Sequence, residues 1–255
     1  MITSTGNEKV KNVVKLMRHK ERKKQGVFLV EGVRMFSEIP KEKHVESFAT
    51  VDFFDRHKEL FDGLDYEIVS DNVMEAISDT KTPQGVVSVV RQFEYSIGDV
   101  CGTEESPLLI ALENIQDPGN LGTIIRTSEG AGVTGVLMSE DTVDIYNSKV
   151  VRATMGSIFR VPFVYVDDLC TLIKNMGKKG FCTYSAHLHG TSFYDFDYRK
   201  PTIFVMGNEG RGLSDELAAA SLNKISIPMK GKVESLNVAT ASTVLMYETM
   251  RQRNS

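Results

Sequence analysis

The chain has 255 residues, 41% hydrophobic and 25% charged, with no low-complexity tract; this suits one large or two ordinary globular domains and excludes a disordered or fibrous protein. No apolar run approaches the roughly eighteen residues that a membrane helix requires, and the polar start Met1-Ile-Thr-Ser-Thr-Gly-Asn-Glu8 lacks the apolar core of a secretory signal. Three scattered cysteines (Cys101, Cys170, Cys182) fit neither a disulfide framework nor a C-x-x-C metal site, so a cytoplasmic protein with reduced thiols is expected.

The formal net charge of -4 argues only weakly about partners, because charge is unevenly distributed. Between Glu8 and Lys24 lie Lys9, Lys11, Lys15, Arg18, Lys20, Arg22, Lys23 and Lys24, opposed by Glu8 and Glu21 alone. Read as a helix over roughly 8–24, this run is either a solvated face or an electrostatic footprint for phosphates, whose neutralisation releases counterions. Both readings stand at this point. A strand at 27–30, a helix at 32–38, a strand at 46–51 and a helix at 52–61 follow. The strand 66–69, a helix over 71–78 behind the cap residue Asp71, and the β-branched strand 86–90 complete a small α/β unit. Residues 93–107 are turn-rich, acidic and without a period, which predicts a linker over 96–106 between domains at 1–95 and 107–255.

A second alternation begins with strand 108–112 and a helix over 120–130 that stops at Gly132. Strand 133–138, helix 147–157, strand 161–166, helix 168–176, strands 181–186 and 202–206, helix 213–221, strand 225–227 and a helix over 235–251 follow. Strands alternating with helices predict a mostly parallel sheet with helices on both faces. There is no internal repeat.

Three polar loops in this second half each follow an apolar strand, and ligands of open α/β sheets collect at such carboxyl-end crevices. In Asp117-Pro-Gly-Asn-Leu-Gly122, Asn120 reads as an N-cap. Arg126 then lies one to two turns into the helix, on the face of Gly122 and near that of Asn120, where a long cation can reach a phosphate. In Gly207-Asn-Glu-Gly-Arg-Gly212, three glycines permit close backbone approach and Glu209 adds an acceptor. The loop is neither a P-loop nor a dinucleotide fingerprint. The third, Pro228 to Asn237, enters a helix whose unpaired amides and positive dipole end favour anionic or acceptor groups, with Ser235 as the expected cap. Lys149, Arg152 and Arg160, between the first two loops, are either added positive charge or ordinary surface groups.

The order N-x-G-x-x-x-R, F-x-x-G-x-E-x-x-G-L and I-P-M-x-G-x-x-x-S-L-N-V, across residues 107–255, resembles the SpoU (TrmH-like) RNA 2′-O-ribose methyltransferases of the SPOUT superfamily. Phe28-Leu-Val-Glu-Gly-Val-Arg34 and Thr82-Pro-Gln-Gly85 resemble the substrate-binding domain often fused to them, a small ribosomal-protein-like α/β/α sandwich. The resemblance implies a deep carboxyl-terminal trefoil knot, S-adenosylmethionine bound in a bent form, a homodimer, and ribosomal RNA as substrate. By motif position, Asn120, Arg126, Glu209, Ser235 and Asn237 are the implied catalytic or substrate-side set. Met206, Gly207, Asn208, Gly212, Ile227, Pro228, Met229, Ser235 and Leu236 are the implied cofactor contacts. The basic segment, with Arg34, Lys149, Arg152 and Arg160, is the implied RNA surface.

Methyl transfer to a ribose hydroxyl needs an aligned oxygen and a route for its proton. The family's activating arginine corresponds to Arg126, yet a guanidinium is effectively always protonated. The expectation is therefore that Arg126 holds a phosphate and stabilises the developing alkoxide. Proton removal by a phosphate oxygen, by water or by a transiently neutral Arg126 stays open. His187-x-His189 lacks a third ligand, so no metal and no membrane partner is expected. The alternatives are a tRNA 2′-O-methyltransferase and a non-catalytic RNA-binding or ribosome-assembly factor of the same fold.

Overall fold

In the computed structural model, which describes residues 1–255, the basic segment forms two helices where one is expected: α1 (Glu8–Leu16) and α2 (His19–Gln25). Asn7 caps α1 by accepting from the Lys9 amide, and Val10, Val13 and Leu16 line its buried stripe. Arg18 is extended, with φ -93° and ψ 131°, which breaks the run, and α2 ends on Gly26 in the left-handed region. The chain continues through β1 (Val27–Glu31), α3 (Val33–Ser37), β2 (His44–Thr50), α4 (Val51–Arg56), β3 (Tyr66–Val69), α5 (Asp71–Ile77) and β4 (Val86–Arg91). Asp71 opens α5, but Ser70 occupies the cap position.

By its contacts the chain divides into two compact units. The first joins Met1–Phe93 to Asp144–Phe159; the second joins Glu94–Val143 to Arg160–Ser255. The sheet of the first unit runs β1-β4-β2-β3, with β4 antiparallel to both its neighbours and β3 parallel to β2. One core packs Val10, Val13 and Leu16 with Phe48, Val73 and Ile77, and the other packs Phe36, Phe53 and Phe61 with Ala49 and Val86. A sheet covered on both sides explains why Val86, Val87, Val89 and Val90 of β4 are all buried.

One polar chain crosses this sheet. His44 Nε2 lies 2.8 Å from Ser47 Oγ, which lies 2.7 Å from Ser88 Oγ, and both serines are fully buried. Burial pushes the His44 imidazole below its ordinary value of 6.5, outweighing the nearby Asp65 and Glu46 carboxylates. The unfolded chain therefore takes up a proton first as pH falls through the ordinary histidine range. Stability contributed by neutral His44 is present above that range and is lost as pH falls toward the lowered value. A thermal midpoint that drops between pH 7.5 and 6, with a smaller drop in His44→Gln, is the expected result; equal drops in both proteins would refute it.

The second unit holds α6 (Ile97–Cys101), β5 (Leu108–Leu112), α7 (Pro118–Gly130) and β6 (Gly135–Ser139). α8 (Ser148–Thr154) belongs to the first unit, where it packs on β1. Then come β7 (Phe163–Val166), α9 (Leu169–Lys178), β8 (Cys182–Ser192), β9 (Thr202–Met206), α10 (Asp215–Ala220), β10 (Asn223–Ser226) and α11 (Val238–Arg253). All six strands are parallel, in the order β10-β8-β9-β5-β6-β7. α6, α9 and α10 cover one face through Val100, Ile173 and Leu217, while α11 packs against β9 and α7. The stretch expected as linker thus contains a helix, opened by a reciprocal capping box between Ser96 and Asp99. The S-x-x-D spacing that makes this box is a known start signal.

Candidate active site

The first loop starts where β5 ends. Asp117, not Asn120, is the cap of α7: its side chain accepts from the Asn120 amide at 2.8 Å, and Pro118 takes the first helical position. Proline there has the right φ and no amide to satisfy, so the helix begins two residues earlier than expected. Asn120, half-buried in the first turn, is thereby released from the capping role. Arg126 is exposed, and its exposed neighbours one turn away are Thr123 and Gly130, whereas Gly122 is buried. Arg126 makes no hydrogen bond or ion pair within the chain.

The second loop closes on itself. Asn208 and Gly212 exchange backbone hydrogen bonds of 3.1 and 2.9 Å. A Cβ at Gly207 would lie 2.3 Å from the Gly212 carbonyl carbon and the Leu213 nitrogen, so only glycine permits this crossing. Asn208 donates to the Asn114 carbonyl at 2.8 Å and accepts from the Gly210 and Arg211 amides. Met206 is buried at the end of β9.

Glu209 joins the second loop to the first. Its carboxylate accepts from the Gln116 amide at 3.2 Å, the Asp117 amide at 3.1 Å and Asn120 Nδ2 at 3.0 Å. Partial burial alone raises its carboxyl, but the bonds from Asn120 and the backbone amides outweigh this and hold it below the usual carboxylate range. A carboxylate so committed is a weak base and a strong bracket.

Asn237 joins the third loop to the first. Its Nδ2 donates to Asn120 Oδ1 at 2.9 Å, while its own Oδ1 accepts from the Ala239 amide at 2.9 Å and the Thr240 amide at 3.3 Å. Asn237, not Ser235, therefore caps α11, two residues later than expected. Glu209, Asn120 and Asn237 thus form one hydrogen-bonded chain across three loops that are distant in sequence. Along the third loop, Ile227, Met229 and Leu236 are half-buried, and Pro228 and Ser235 are exposed. No backbone amide from Met229 to Leu236 is engaged by another group of the chain.

A cleft of about 390 Å³ opens at the carboxyl ends of β5, β6, β7 and β9; Asn208 and Gly212 line it, but the third loop does not. Its other walls include Glu113, Asp141, Asp167, Asp168 and Glu216, with Arg211 as their one cation. Reading the sequence missed Glu113, which ties β5 to α10 by accepting from the Ser214 amide and hydroxyl at 2.7 and 2.6 Å. It also missed the Asp117 cap, which the Asp-Pro pair signals.

Residues 107–247 match the family model described as SpoU rRNA Methylase family. The chain belongs to this SpoU family. Residues 7–88 match the MRM3-like substrate binding domain. Among its SpoU relatives, the chain is 34% identical over 253 residues to the 23S rRNA (guanosine(2553)-2'-O)-methyltransferase RlmP of Bacillus subtilis (strain 168), covering 96% of this chain and 97% of that one. An AdoMet-bound rRNA methyltransferase from Sinorhizobium meliloti, solved by crystallography, superposes with a TM-score of 0.86 at 30% identity, covering 98% and 97% of the two chains. The SpoU methyltransferase AviRb from Streptomyces viridochromogenes, in complex with AdoMet, gives a TM-score of 0.86 at 28% identity over 98% and 99%.

The cations expected to meet RNA in this SpoU protein divide sharply. Arg22 is buried, 5% exposed, where it donates to the Leu16 and Met17 carbonyls and pairs with Asp144, so it is a structural residue and not an RNA contact. Lys9 pairs with Glu46 and Glu67, and its ammonium is held more firmly protonated as a result. Lys11 pairs with Glu8, Arg34 with Glu38, Arg152 with Asp79 and Arg160 with Glu129. Lys15, Arg18, Lys20, Lys23, Lys24 and Lys149 are exposed. The ring centroids of His187 and His189 lie 5.9 Å apart, and no third histidine, cysteine or carboxylate gathers with them. No helix is long and apolar enough to cross a membrane.

Proposed function

We propose that this protein transfers a methyl group from S-adenosylmethionine to a ribose 2′-hydroxyl of large-subunit ribosomal RNA. The observation that carries this reading is the chain of hydrogen bonds from Glu209 through Asn120 to Asn237, set beside a run of uncommitted backbone amides. A ligand with an adenine, a ribose and an amino-acid end needs such amides together with apolar walls. Met229 to Leu236 offers the amides, and Ile227, Met229 and Leu236 offer the walls. Met206, Gly207, Asn208, Gly212, Pro228 and Ser235 complete the set that would hold the group. Bound there, it supplies an electrophilic methyl carbon on a sulfonium.

The chain's own residues then divide the remaining work. Asn120 and Asn237 each retain one amide hydrogen beyond the bond they make, and so can orient an acceptor on the RNA. Glu209 fixes Asn120 and the start of α7 without taking up the proton. Arg126 presents a permanent positive charge to the oxygen that becomes an alkoxide. Relatives active on ribosomal RNA support that substrate over tRNA, as does the matched substrate-binding unit. The reading includes a cytoplasmic homodimer with a knotted carboxyl-terminal chain, as the family resemblance implies.

The test is transfer of labelled methyl groups to large-subunit ribosomal RNA from a strain lacking this gene, followed by mapping of riboses that resist alkaline cleavage. One protected ribose is expected. Label in tRNA alone would change the substrate, and label in neither RNA would leave a binding module.

A further inference from the structure

We propose that Lys230 and Lys232, on the third loop, hold the phosphates of the RNA strand beside the target ribose. The inference rests on the function proposed above and adds a binding track to it. Both lysines are exposed, and neither makes a hydrogen bond or ion pair within the chain. They differ in this from Lys9, Arg22, Arg152 and Arg160, whose charges are spent on internal carboxylates or carbonyls. Only a cation without an internal partner yields the full counterion release when it meets a phosphate.

Position supports the assignment. Asn237 is tied to Asn120, and Lys232 and Lys230 precede it by five and seven residues. At about 3.5 Å per extended residue, they lie no more than about 17 and 25 Å along the chain from that tie. Arg126 lies about 9 Å along the helix axis from Asn120. Three partner-free cations thus lie within about 25 Å of one hydrogen-bonded junction, a reach suited to a few nucleotides of single strand. The cleft that Asn208 and Gly212 line carries five carboxylates against Arg211, a charge that repels a polyanion and favours the third loop, which does not line it, as the route. Val233, 60% exposed between the lysines and Glu234, offers an apolar contact to a sugar or base.

The test compares the full-length protein with K230Q/K232Q and K230R/K232R, using unmodified large-subunit ribosomal RNA over a salt series. Loss of two phosphate contacts should lower the slope of log affinity against log salt by about 1.4, at about 0.7 for each single-strand phosphate. It should also weaken binding about tenfold near physiological salt. The arginine pair should restore both values, and calorimetric affinity for S-adenosylmethionine should stay within about twofold in all three proteins. An unchanged slope in K230Q/K232Q, with the parent protein binding and methylating normally, overturns the track alone. Parallel loss of S-adenosylmethionine binding also overturns it, since the lysines would then serve the cofactor or the loop fold. A parent protein that binds no ribosomal RNA overturns the proposed function and the track with it.

Discussion

Replacing Arg126 with alanine is expected to slow single-turnover methyl transfer about 100- to 1000-fold, with affinity for S-adenosylmethionine changed by less than about twofold. The side chain is exposed on α7 and has no partner within the chain, so its removal leaves no buried group unsatisfied. Alanine is also at least as good a helix former as arginine, so α7 should persist. On the proposed mechanism, what is lost is a fixed charge that stabilises an oxygen negative only in the transition state. Arg126→Lys keeps the charge but loses the planar pair of donors, and should fall between the two, about tenfold below the parent. Quench-flow measurement with bound RNA separates these outcomes. A lysine variant as fast as the parent would remove any guanidinium-specific role, and an alanine variant as fast would remove Arg126 from the chemistry.

Asp144→Ala is expected to destabilise the first unit by about 3 kcal/mol, because one partner of a buried ion pair is deleted and the other stays behind. Arg22 and Asp144 side chains are only 6% and 19% exposed, and Arg22 Nε already has no hydrogen-bond partner. The guanidinium would keep the Leu16 and Met17 carbonyls, at 3.0 and 2.8 Å, but no counter-charge. A fall of about 10 °C in thermal midpoint corresponds to that loss. The double variant R22M/D144L removes both charges and should recover most of it. If the double variant melts as low as Asp144→Ala, packing rather than the charge pair explains the effect.

This ion pair also marks a limit of what the sequence displays. Arg22 stands in a run of eight cations and looks like its neighbours; nothing local separates a lysine facing water from an arginine turned inward. Its partner is 122 residues away, in a segment whose hydrogen bonds and packing place it in the first unit. The same holds for Arg152, which pairs with Asp79 across 73 positions. Charge patterning reports where cations are in the chain, and long-range packing decides which of them remain available.

Local signals were more legible. Strands β3, β5 and β9 have the bounds expected of them, and for β5 and β9, buried along their whole length, the apolar run itself marks where the strand stands. Helix starts were less certain, since several cap-forming residues lie close together. Asp117 and Asn120, or Ser235 and Asn237, each qualify by type, and only the closing geometry of the loop selects one. The α6 helix was hidden in an acidic stretch too short for a period.

By itself, then, the sequence determined the alternation of strands and helices, the three loops and the residues in them. It did so because strand burial, turn chemistry and motif order are properties of near neighbours along the chain. Only the tertiary structure decided how those residues are employed. The carboxylate of Glu209 is spent on the first loop, and Asn120 bridges to Asn237 from 117 positions away. Arg126, Lys230 and Lys232 are left with their charges uncommitted. Hydrogen-bond valence is filled in space, so which groups remain free for a ligand is settled only when the chain has folded.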